Sequence, residues 1–166
     1  MPLFARRARP EPAPLRLVVP RLDGTGWPDR AVVGRPTFDA AAYHEMGTRR
    51  AYEPEAHAVA DTLVPAALER IRTGAGPDDE PYLVKVFVVA ARVGTGIGLV
   101  DREQAAPGSD VLDRAVAGAL WQARRELPAM REDWARTAGW FLLAGHRLGR
   151  QGPGALPVLL DGLPAA

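Results

Sequence analysis

Residues 82–101 read YLVKVFVVAARVGTGIGLVD, and the fold turns on how this stretch is read. Its first twelve residues are rich in β-branched side chains, and both alternating faces are mostly apolar. Such a run reads as a strand covered on both sides. Gly94, Gly96 and Gly98 follow. A dinucleotide fingerprint needs strand, tight glycine turn and then a helix whose N-terminus holds the pyrophosphate. Here Ile97 to Val100 is apolar, and Pro107 and Gly108 arrive soon after, so no helix of useful length fits behind the glycines. The spacing is Gly-x-Gly-x-Gly, and no Gly-Lys-Ser/Thr exists for a Walker-type loop. The reading that remains is a β-hairpin. Gly94 or Gly96 supplies a positive φ, residues 97–101 form the return strand, and Gly98 marks a bulge or a close backbone approach.

Working outward, Pro54 suits the first turn of a long helix. Ala56, Val59, Ala60, Leu63, Val64, Ala67, Leu68 and Ile71 form one apolar stripe at helical period. Pro65 interrupts the stripe, and Gly74 closes it. A shorter helix over residues 38–46 is expected to stop at Gly47. Leu15 to Val19 is a first strand and Ala31 to Gly34 a second. A helix capped by Ser109 or Asp110 carries Leu112, Val116, Leu120 and Leu127. The last helix carries Met130, Trp134, Ala138, Phe141, Leu142 and Leu148 on one face, with Gly145 there to admit a close neighbour. Gly149 and Gly152 end it.

Strand pairs followed by helix pairs imply an α+β fold. The expected architecture is a small, mainly antiparallel sheet centred on residues 82–93 and covered by two helical hairpins. Residues 1–14 read as a disordered Arg/Pro-rich tail, 15–152 as a single domain, and 153–166 as an extended apolar tail.

Composition narrows the chemistry. The 166 residues contain no cysteine, which excludes disulfides, thiolate metal sites and a cysteine nucleophile. A net charge of +1 gives no global basic field to draw in nucleic acid. Alanine, glycine, proline and arginine dominate, as in high-GC bacterial genomes. Arginines near the N-terminus are followed by Glu11 and prolines rather than an apolar run, so no signal peptide is expected. No run approaches a membrane span. The expected setting is the bacterial cytoplasm.

Candidate site residues are few. His44-Glu45 starts like a zincin motif, but Thr48 stands where the second histidine belongs. His57 and Asp61 are four apart, which places them on one helix face as a carboxylate-oriented base or a surface pair. Lys85 interrupts the most apolar run of the chain. Buried, it would be a nucleophile or base; at a rim, its ammonium would reach water. Trp121, Trp134, Trp140 and Phe141 could wall a pocket or a partner-binding groove, or simply form core. Ser109, the only serine, sits at a helix cap without a nucleophile motif. No metal set or cofactor is implied.

The expected function is therefore a non-enzymatic protein acting through protein–protein association, as a homo-oligomer or an assembly partner. The rival is a small-molecule-binding domain or small enzyme. Its pocket would lie between sheet and helices and use Lys85, His57 and Asp61, with His44 as a further base.

Overall fold

The computed structural model describes residues 16–17, 45–73, 80–104 and 132–163. Among these the architecture is helical. Helix α1 occupies residues 45–50 of the described chain, α2 spans Pro54–Ile71, α3 Glu80–Gln104 and α4 Glu132–Gln151. A 3-10 turn, Pro153–Ala155, leads into a short helix, α5, Leu156–Asp161. The only extended pairing among the described residues joins β1, Arg16–Leu17, to β2, Arg72–Thr73, antiparallel. Two residues a side do not make a sheet.

The expected α+β fold is thus overturned. The run at 82–93 is not a central strand, and the hairpin at Gly94–Gly98 does not exist. Residues 80–104 form one continuous helix, and its glycines lie inside it. Pro81 falls in the first turn, where its missing N–H has no helical partner to lose. Phe87, Ala91, Gly94, Thr95 and Gly98 are buried at intervals of three and four, while Lys85 and Val89 are exposed. Beyond Arg92 the helix is buried all round, from Val93 to Asp101. A helix buried on every side carries no polar face, so its hydrophobic pattern matches period 2 as well as period 3.6. Valine's preference for strands is weak, and tertiary packing overrides it here.

The expectation for α2 agrees with the structure. The helix starts at Pro54, runs through Pro65 and ends at Ile71. Ala56, Ala60, Leu63, Val64, Ala67 and Ile71 are its buried stripe. Glu55 in the first turn and Arg70 in the last complement the helix dipole. Three boundaries differ. Gly47 does not stop its helix, which continues to Arg50. Gly149 lies within α4, and Gly152 alone ends that helix, at φ 84°, where glycine carries no Cβ penalty. Its N–H donates to the Leu148 carbonyl at 2.7 Å. The segment expected to be an extended tail is instead the 3-10 turn and α5. Leu159 and Leu163 bury against the core there, and Arg70 donates to the Leu160 carbonyl at 2.6 Å. The expected strand at 31–34, the helix after Ser109 and the tail 1–14 lie outside the described residues.

The core gathers α2, α3, α4 and α5 around an aromatic centre. The Phe87 and Phe141 rings lie 5.0 Å apart, and Trp140 meets Phe141 edge-on at 5.1 Å. Offset and edge-to-face contacts suit the ring quadrupoles.

Along the seam between α3 and α4, backbone meets backbone. A methyl group at Gly94 would strike the Leu142 carbonyl, one at Gly98 the His146 carbonyl, one at Gly145 the Ala91 carbonyl and one at Gly149 the Thr95 carbonyl. The close approach expected at Gly145 is therefore present, and three further glycines share it. Gly96 turns to the other side, against the Gly47 carbonyl of α1. Each glycine in a helix interior costs about 1 kcal/mol relative to alanine. Close dispersion contact along two backbones offsets that cost.

Candidate functional site

The glycine seam brings together the one buried ionisable pair among the described residues. Asp101 lies near the C-terminal end of α3, and His146 lies on α4. Their side chains are 6% and 8% exposed, and His146 Nε2 lies 2.6 Å from Asp101 Oδ2. A carboxylate so placed accepts from Nε2–H, which fixes the neutral tautomer and leaves Nδ1 as an acceptor. Burial holds the imidazole below the ordinary histidine range; the Asp101 carboxylate opposes that shift, and Arg150 adds to it. Asp101 Oδ1 is buried without a hydrogen-bond partner.

A histidine oriented by a carboxylate is the elementary unit of general-base chemistry. Here the surroundings point elsewhere. Gly98 brings the α3 backbone against the His146 carbonyl and the Arg150 amide nitrogen, so no substrate-sized gap separates the helices at this level. The pair instead joins two helices. Thr95, also fully buried on the seam, satisfies its hydroxyl on its own helix by donating to the Ala91 carbonyl at 2.8 Å.

Beyond the pair, two surface ion pairs tie the α1–α2 corner to the end of α3, and a third lies within the corner. Arg50 Nε lies 2.8 Å from Glu53, and Arg50 also meets Glu103 at 2.8 Å. Arg102 meets Glu55 through both carboxylate oxygens, at 3.1 and 3.2 Å. The Arg50 hydrogen bond holds the Glu53 carboxyl below the usual range.

The residues singled out from sequence do not converge. Lys85 is exposed on the outer face of α3. Its ammonium stays in water, without the burial that turns a lysine into a nucleophile. His57 is half-buried and Asp61 exposed, one turn apart on α2. Trp140 and Phe141 are fully buried in the core, and Trp134 is partly buried against it. His44 and Trp121 lie outside the described residues. Among the described residues no cluster of three or more His, Asp or Glu side chains is placed to hold a metal. No described helix is long and apolar enough to cross a membrane.

Neither Asp101 nor His146 was among the candidate site residues. The two stand 45 positions apart, and no motif links them. One signal was present: Gly94 and Gly98 are four apart, as are Gly145 and Gly149. Read as two helices, that spacing places two small-residue stripes opposite each other, with His146 beside one of them. Comparison with protein-family models, curated proteins and solved structures found no match to the chain.

Proposed function

We propose that the chain is a non-enzymatic bacterial cytoplasmic protein that acts by associating with another protein through the outer face of α3. The observation that carries this reading is Val89, an apolar side chain that is 57% exposed in the first half of α3. Lys85 and Arg92 stand four residues before it and three after, so the three side chains share one face. An apolar anchor between two cations suits a partner surface that offers an apolar contact flanked by carboxylates. Self-association through the same stripe is disfavoured. A two-fold axis at Val89 would set Lys85 of one copy near Arg92 of the other, and like charges would meet. Tyr52 and Val158, 77% and 63% exposed, are single apolar side chains without such a charge frame, and isolated ones are ordinary on a surface.

The test is a photo-crosslinking residue at position 89 in cells expressing the chain, with the same probe at the exposed Ala58 of α2 as control. The expected result is a discrete adduct at 89 that is absent at 58 and disappears in the Lys85→Glu, Arg92→Glu background. Equal adducts at both positions, or an adduct insensitive to charge reversal, overturns the proposal. So does a monomer whose Tm rises with a small metabolite and loses that response in Lys85→Met.

A further inference from the structure

The Asp101–His146 pair is under-satisfied on its carboxylate side. Asp101 Oδ1 has no hydrogen-bond partner, while Oδ2 accepts from His146 Nε2 across the two helices. Such a half-completed buried network is sensitive to any added charge. It sits where the two backbones touch, beside Gly98 and within a turn of Gly149, so the pair bridges the helices at their closest approach. We propose that this joint is a proton-operated latch, in which proton uptake by His146 in mildly acidic solution parts the C-terminal end of α3 from α4.

The charges around the pair give the direction. On α3, Asp101 favours the imidazolium. On α4, Arg150 opposes it, and Arg147 is exposed and hydrogen-bonded to Gln151. Arg102 and Glu103, the next residues of α3, are engaged by Glu55 of α2 and Arg50 of α1, and Arg50 also holds Glu53. One carboxylate therefore stands against burial and a like charge. The folded imidazole consequently binds its proton more weakly than a solvated one, whose pKa is about 6.5. The more open state takes up protons preferentially as the pH falls. The contribution of the pair to the closed joint is complete above about pH 6.5 and is lost as the pH falls from there through the lower folded value.

The absence of cysteine makes the test direct. Spin labels on Glu103→Cys and Arg147→Cys report the distance between the two helix ends. Between pH 7.5 and 5.5 that distance is expected to lengthen and broaden in the otherwise native chain, and to stay constant when His146→Gln is added. An unchanged distance in the native background, or equal lengthening with His146→Gln, overturns the latch. If the glutamine variant fails to fold, imidazole NMR on the unsubstituted chain decides. His146 is expected to titrate with a midpoint below about 6.5, and a midpoint at or above that value overturns the proposal.

Discussion

Two of the seams that helix α3 makes, with α2 and with α4, are built differently. Against α2 it meets side chains: Ala56, Ala60, Leu63, Val64, Ala67 and Ile71 present an aliphatic stripe. Against α4, between the Phe87–Phe141 rings and the Asp101–His146 pair, it meets main chain through Gly94, Gly98, Gly145 and Gly149. The first seam is a layer of rotamers that can shift to absorb a change in volume. At these glycines the second has no such layer, because the atoms in contact there are carbonyls whose positions are set by the helices themselves. The difference teaches where the molecule is adjustable and where it is not.

The sharpest way to break this contrast is Gly94→Val. A branched side chain there drives into the Leu142 carbonyl and Cα, with no rotamer on the far side able to yield. Destabilisation of roughly 4 kcal/mol or more is expected in a urea melt, beyond ordinary overpacking. If Gly94→Ala instead stabilises by about 1 kcal/mol, as propensity alone demands, the seam is looser than described here. Next in size is Leu63→Ala on the α2 side, a fully buried side chain whose removal leaves a cavity. A loss of about 3 kcal/mol is expected by the same measurement, while Leu63→Met costs below about 1.5 kcal/mol because the layer repacks. A large loss from the methionine variant would erase the distinction between the seams. The smallest effect belongs to the surface tie: Glu55→Gln, which weakens the contact with Arg102, is expected to cost less than about 1 kcal/mol and less still in high salt.

The two seams also explain what could be read from sequence. The α2 stripe was legible because that helix has one wet face; Asp61, Glu69 and Arg70 mark it, and the apolar set falls at three-and-four spacing. Helix α3 was not legible because its second half is dry on all sides. With Val93 to Asp101 buried throughout, alternation and helical period give the same string, and β-branched residues tip the choice toward strand. Its glycines then looked like punctuation, though their meaning lies in the opposing helix. Lys85 shows the same error in miniature. As an interruption of a strand it is an anomaly; on a helix it shares a face with Val89 and Arg92. The Asp101–His146 contact leaves no local trace of its own, since it crosses a tertiary interface; only the matched glycine spacing marks the seam beside it.

The meeting of Gly94 with the Leu142 carbonyl has a consequence for how this protein can change over time. Most interior clashes admit a reciprocal repair, in which the neighbour shrinks when a residue grows. A peptide oxygen cannot shrink, and no codon alters it. The seam is therefore closed to stepwise compensation, and a larger residue there demands that an entire helix be repositioned.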